Sequence, residues 1–189
     1  MHCLILHTRQ LSGNRQRDII SKMQSKIFYS FLKSYIGKIG IASSHHGIVF
    51  IDIGIKENAF LKKLKQKFPG YKLVKSEKKN SKAIKELNFY LKGNLKVFKS
   101  SMVLEGTPFQ LNVLRSVWKI PYGKMCSYKF IAREVGKPTA VRAVGNVVAN
   151  NPIPLFIPCH RVIKSDGNLG QYGPGEDIKR KLLQLEKAI

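Results

Sequence analysis

The chain has 189 residues, is 43% hydrophobic, and carries 34 Lys+Arg against 11 Asp+Glu, a net charge of +23 with neutral histidines. This is enough for one or two small domains with real cores, and the charge points to a polyanionic partner. No apolar run approaches the roughly 20 residues of a spanning helix, and the lysines are scattered instead of gathered on one amphipathic face, so a membrane is not the expected partner.

Residues 1–24 are basic and weakly periodic, and a flexible extension is expected there. Arg9, Arg15, Arg17 and Lys22 interrupt any signal-peptide plan, so the expected location is cytoplasmic, or nuclear in a eukaryote. Residues 27–32, 37–42 and 48–53 read as strands, the last two joined by the glycine-bearing connection Ser43-Ser44-His45-His46-Gly47. Phe60, Leu61, Leu64 and Phe68 have helical spacing, and Pro69-Gly70 stops that helix. A further strand is expected over 71–75, then an amphipathic helix over 81–91 with Ile84, Leu87 and Leu91 inward, ended by Gly93. Residues 25–98 thus read as a small α+β domain whose lysines form a solvated face and which carries no evident chemistry. Residues 99–105 read as a linker.

The second unit covers 106–189. Thr107 is a candidate N-cap, and Pro108 suits the first position of a helix running to about Lys119. Ser127 caps a second helix through about Val135, with Phe130, Ile131 and Val135 apolar; Gly136-Lys137-Pro138 breaks it, and a third runs from Thr139 to about Asn150. Two short helices about a glycine-bearing turn make a helix-turn-helix. In the later helix Val141, Val144 and Val148 form a core stripe, while Arg142, Gly145, Asn146 and Ala149 form another at the same spacing. That second stripe is one long cation among small residues. It reads either as an ordinary solvent face or as a surface for close approach to DNA, and the net charge favours DNA.

The run Ile153-Pro154-Leu155-Phe156-Ile157 ends at Pro158, which cannot donate in a strand ladder. Cys159 follows, at the turn beyond an apolar element. It is either a buried free cysteine acting as a small hydrophobe or a reactive thiol favoured by the cationic neighbours His160 and Arg161. The loop Gly170-Gln171-Tyr172-Gly173-Pro174-Gly175 permits close backbone approach to something flat or large. A last helix is expected from Asp177 to Lys187 with Ile178, Leu182 and Leu185 buried; Glu186 lies at the edge of its apolar side, either snorkelling or paired. The cysteines Cys3, Cys126 and Cys159 are odd in number and far apart, which argues against a disulfide framework, and none sits at zinc-site spacing.

Asn151-Pro152-Ile153-Pro154 with Ile157-Pro158-Cys159-His160-Arg161-Val162 resembles the active-site signature of the O6-alkylguanine-DNA alkyltransferase (methylated-DNA–protein-cysteine methyltransferase) family. Gly106-Thr107-Pro108-Phe109-Gln110, Pro121-Tyr122-Gly123, Ser127-Tyr128 and Arg142-Ala143-Val144-Gly145 add to the likeness, which covers about Gly106 to Glu186 and, more weakly, Ser34 to Gly54. The resemblance implies an α+β chain: a ribonuclease H-like N-terminal domain, then a winged-helix-like helical domain that binds DNA and accepts the alkyl group. It implies that Cys159 takes the alkyl group of O6-alkylguanine once and irreversibly, with O4-alkylthymine left open as a second lesion. It implies that His160, through a water, takes the thiol proton while Glu186 orients the imidazole, and that Asn151 holds the turn carrying the cysteine. Tyr128 would contact the damaged base and help protonate the leaving guanine. Arg142 would fill the space of a flipped nucleotide, with Gly145, Asn146 and Ala149 of its helix in the minor groove. The backbone at Val162 and the loop at Tyr172 and Gly173 would line the base pocket. The expected partner is double-stranded DNA bound by a monomer, with no cofactor.

Two departures stand out. Some relatives have serine where this chain has Gly173, and some bind zinc in the first domain, where Ser43-Ser44-His45 here lacks the cysteine, so no metal is expected. Two other functions compete. A DNA-binding regulator leaves the reactive cysteine unexplained. A hydrolase using Cys159, His160 and Glu186 leaves the charge unexplained and needs direct contact between sequence-adjacent nucleophile and base.

Overall fold

A computed structural model describes residues 4–8 and 25–189. Cys3 and the rest of the extension read over 1–24 lie outside the described residues.

One central strand, buried on both faces, organises the first unit. Strands β2 (Lys26–Leu32), β3 (Ile39–Ser43) and β4 (Ile48–Ile53) form an antiparallel meander. All five residues of β3 are buried, as a strand covered on both faces requires. Its alternate side chains serve two different layers. Ile39 and Ile41 pack in one core with Leu87 and Tyr90 of helix α2 (Glu77–Leu91), while Ala42 packs in the other with Phe60 and Leu64 of helix α1 (Glu57–Lys67). An added Cβ on Gly40 would come within 2.6 Å of the Phe60 ring, so the glycine lets α1 lie close on the sheet. Ser76 caps α2, and the buried Asn80 ties that helix to the sheet through Ser30, Ser43 and the carbonyls of Phe28 and Ile41.

Among the described residues the sheet has six strands in the order β1-β6-β4-β3-β2-β5, with β1 (Leu4–Thr8), β5 (Lys72–Lys75) and β6 (Met102–Gly106). Two expectations are corrected here. Leu4–Thr8, inside the expected extension, pairs parallel with β6. Most of the expected linker over 99–105 is β6 itself, which also meets β4 at Ile48 and Met102. The apolar run Met102-Val103-Leu104 is buried on the sheet, a gain no solvated linker would make.

The second unit opens with α3 (Pro108–Trp118), where Thr107 and Gln110 exchange the two hydrogen bonds of a capping box. Ser127 caps α4 (Tyr128–Glu134), and the turn at Gly136 (φ 71°) leads into α5 (Val141–Ala149), the expected helix-turn-helix. Of the three apolar residues Phe130, Ile131 and Val135, Ile131 is buried and Phe130 is exposed. A two-stranded ladder of β7 (Cys126–Ser127) and β8 (Val162–Ile163) flanks a short 3-10 turn, Cys159–Arg161, and α6 (Glu176–Leu185) closes the chain. The layer that holds Ile39, Leu87 and Tyr90 also holds Leu114, Val144, Val148, Ile153 and Leu182, so one core joins both units.

Candidate active site

Cys159 is placed by an apolar plug and one amide. Ile153, Leu155, Phe156 and Ile157 are all buried, and the Phe156 ring lies 4.1 Å from that of Phe98. Burial of side chains this size stabilises by roughly 1.5–3 kcal/mol each, which pins the segment. The run is not a strand: it folds back on itself, with a single bridge from Pro154 to Ile157 and Leu155 at φ 74°. Asn151 holds this turn from within. Its Oδ1 accepts from Ile153 N at 3.0 Å, and its Nδ2 donates to Ile157 O at 2.8 Å and to Cys159 Sγ at 3.0 Å.

The cationic neighbours do not act on the thiol as the sequence suggests. Arg161 turns away to Glu186, and burial pushes the Cys159 thiol above its ordinary value, opposed by the Asn151 amide and the Lys179 charge. Tyr172 adds its buried hydroxyl nearby, close enough to act electrostatically but outside hydrogen-bond geometry. The resting sulfur is therefore a protonated thiol, and its activation requires a base.

The next residue in the chain carries an imidazole. His160 is fully buried, and burial holds its imidazole below the ordinary value despite the carboxylate of Glu186, so it is neutral near pH 7. Its Nε2 lies 3.0 Å from Glu186 Oε1. A carboxylate only accepts, so Nε2 carries the proton and Nδ1 keeps its lone pair. Nδ1 is buried and meets no hydrogen-bonding partner among the described residues. Glu186 is 2% exposed. Burial alone would raise its carboxyl, but hydrogen bonds from His160 and Arg161 outweigh that and hold it at about 2. Arg161 donates Nε to Oε2 and Nη2 to Oε1, both at 2.8 Å, and Nη1 to Ile120 O. Tyr90 donates to Oε1 at 2.6 Å, and Gly123 N donates to Oε2 at 3.2 Å.

The stripe of α5 is a free face. Arg142, Asn146 and Ala149 are exposed, and an added Cβ on Gly145 would meet nothing within 4 Å. Packing among the described residues therefore does not demand that glycine. A cavity of about 390 Å³ runs from Cys159, Asn151 and Ala149 past Tyr172 and Gly173 to Asp52 and Lys63 of the first unit. A side chain at Gly173 would meet only Ala149 O, at 3.9 Å, so the glycine is not sterically required. Val162 and Tyr128, expected at the base pocket, are not among this cavity's walls. Val162 is in the core with its carbonyl bound by Lys179 Nζ at 2.6 Å. Tyr128 is half-buried, its hydroxyl titration raised by burial and by the nearby Cys159.

Three participants escaped the sequence reading. Lys179 is fully buried on α6, donating to Val162 O and Leu169 O, although a charged residue between apolar positions reads as solvent-facing. Arg161 was visible only as a cation beside the thiol. Tyr90 belongs to a domain that carried no evident chemistry; its one signal is its place three residues after Leu87 on the apolar face of α2.

Two family models match the chain: the ribonuclease-like domain of 6-O-methylguanine DNA methyltransferase over residues 27–101, and the DNA-binding domain of the same family over 108–188. A methylated-DNA–protein-cysteine methyltransferase of Methanosarcina barkeri is 40% identical over 161 residues, 85% of this chain and 98% of that protein. The inducible one of Bacillus subtilis is 38% identical over 165 residues, 85% and 90% respectively. The crystal structure of the Mycobacterium tuberculosis O6-methylguanine methyltransferase superposes with a TM-score of 0.72 at 34% identity, covering 86% of this chain and 93% of that one. A structure of the M. tuberculosis protein in complex with DNA matches at the same TM-score and identity, covering 85% and 93%. With both domains matched in order, and with a thiol, imidazole and carboxylate converging at the junction of the two units, the chain belongs to the O6-methylguanine-DNA methyltransferase family.

Proposed function

We propose that this protein repairs DNA by direct reversal, moving the alkyl group of O6-alkylguanine onto Cys159 in a single event per molecule. The observation that carries the reading is a buried thiol followed in the chain by a buried imidazole whose Nε2 is held by Glu186 at 3.0 Å and whose Nδ1 meets no hydrogen-bonding partner among the described residues. No hydrogen bond joins Sγ to the ring directly, so a water would carry the thiol proton to His160. Glu186 steadies the imidazolium as it forms. The Asn151 amide, 3.0 Å from the sulfur, supports the thiolate.

The thiolate attacks the alkyl carbon. The S–C bond forms as the C–O bond breaks, O6 leaves with the electron pair, and the guanine takes a proton from the Tyr128 hydroxyl, which lies near Cys159 although outside the cavity's walls and regains its proton from the His160 imidazolium through water. A thioether remains on Cys159. Water does not hydrolyse it, so the protein is spent.

The target oxygen cannot meet a thiol inside a base stack, so the nucleotide must be flipped. The exposed Arg142 and the small residues Gly145, Asn146 and Ala149 suit α5 to the minor groove, with Arg142 entering the emptied space. The base would then sit in the cavity bordered by Cys159, Tyr172 and Gly173. The net charge of +23 and the DNA complex of the tuberculosis relative support a duplex as partner.

Intact-mass spectrometry after incubation with methylated duplex DNA tests the reading. One methyl group per chain, mapped to the peptide bearing Cys159, is expected. An unchanged mass would overturn it.

A further inference from the structure

We propose that Tyr90, supplied by the first domain, is a positioning residue for the proton path: its hydroxyl fixes Glu186 Oε1 and limits how strongly that oxygen holds the His160 imidazole. The inference rests on the alkyl-transfer reading for its purpose, but its geometry is independent of it.

Oε1 accepts three donors: Tyr90 O–H at 2.6 Å, Arg161 Nη2 at 2.8 Å and His160 Nε2 at 3.0 Å. Tyr90 makes the shortest of the three, and its oxygen also lies 3.3 Å from His160 Nε2. The side chain is fully buried. Its ring sits 5.1 Å from Phe98 and 6.2 Å, nearly perpendicular, from Tyr122. Those contacts need only a phenyl group. The hydroxyl is an extra polar atom in the core, and its partners among the described residues are Glu186 and His160. A buried hydroxyl is stable only when it is hydrogen-bonded, and here that bond is directed at the carboxylate facing His160. The tyrosine is held from behind, because Asn80 anchors the same helix to the sheet.

The consequence is electrostatic. A donor on Oε1 withdraws lone-pair density from the oxygen that faces Nε2–H. Without it, Oε1 stabilises the imidazolium more strongly and His160 titrates at higher pH. Fewer molecules would then hold the free Nδ1 lone pair that accepts the thiol proton. The charged or titratable groups acting on His160 are Glu186, Arg161 and Lys179. Those acting on Tyr90 are Glu186, Arg161 and Tyr122, while Tyr90 in turn acts on Tyr172 beside Cys159. Because Lys179 and Cys159 also titrate, the imidazole must be followed directly as well as through the rate.

The experiment compares the full chain with Tyr90→Phe, and with Phe98→Leu as a control that trims the same packing but keeps the hydroxyl. Single-turnover transfer from methylated duplex DNA is measured from pH 5 to 9, and the His160 titration is followed by NMR. Tyr90→Phe should move the acid limb and the imidazole titration upward together. The rate loss should be about threefold at the acid end, corresponding to about half a pH unit, and should close by pH 9. Phe98→Leu should move neither. Loss of folded protein lowers the amplitude and leaves the midpoint in place. A Tyr90→Phe profile and titration that superimpose on the unaltered protein, or a uniform loss with an unmoved titration, would overturn the inference. If the unaltered protein transfers nothing, the alkyl-transfer reading fails, and the imidazole titration alone still decides the role of Tyr90.

Discussion

Arg161 and Glu186 form a two-point ion pair, Nε to Oε2 and Nη2 to Oε1, each 2.8 Å, with both side chains buried. The carboxyl titrates at about 2 in the folded protein, against an ordinary 4.5. A lowered carboxyl value means the folded state favours the charged form. The stability it contributes is complete above pH 4.5 and drains as pH falls through about 2. Denaturant unfolding at pH 5 and pH 2 should show the unaltered protein losing roughly 3 kcal/mol more than Glu186→Gln, which has no proton to gain there.

Glu186→Gln should also slow alkyl transfer by about 10²-fold, because the neutral amide neither orients Nε2–H as an acceptor of charge nor steadies the imidazolium. DNA affinity should be largely preserved, since Glu186 is buried away from α5. Rapid-quench transfer rates from pH 6 to 9 provide the measurement, and rates equal to those of the unaltered protein would remove Glu186 from the mechanism.

Arg142→Ala should impair repair of duplex DNA far more than reaction with the free modified base, which needs no flipping. Arg142 is exposed and makes no hydrogen bond or ion pair among the described residues, so folding should be unaffected. The slope of log affinity against log salt should fall by about 1 if the guanidinium meets a phosphate. Equal losses on both substrates would contradict a flipping role.

Lys179→Met should cost about 2–4 kcal/mol, because Val162 O and Leu169 O lose their buried donor together. Burial pulls this ammonium down to about 8, with Cys159 and Glu176 holding it up. Its positive charge favours the thiolate, so transfer by the variant should lag most below pH 8 and least above it. Urea unfolding and the pH–rate profile measure the two effects separately.

Cys159→Ser should bind methylated duplex and transfer nothing, because a hydroxyl beside this base stays protonated. Product from the unaltered protein should plateau at one alkyl group per chain however much substrate is added. Sustained turnover, or label on Cys3 or Cys126, would contradict the acceptor role.

The local features of this chain were legible because they are local. Thr107 and Ser127 announce their helices by side-chain chemistry within three residues. The two stripes of α5 follow from helical spacing alone, and the Pro-Cys-His-Arg-Val run carries its family resemblance in consecutive residues. The reading failed where a residue's role depends on distant chain. Met102-Val103-Leu104 became a strand because β1 and β4 flank it, and no spacing within 99–105 records that. Arg161 looked like an activator of its neighbour Cys159, yet the 3-10 turn sends it 25 residues on, to Glu186. Tyr90 reaches the same carboxylate across 96 residues. Spacing along a chain determines which side chains share a face, but only the packing of one core between two domains decides which faces meet, and a buried carboxylate takes whichever donors that packing delivers.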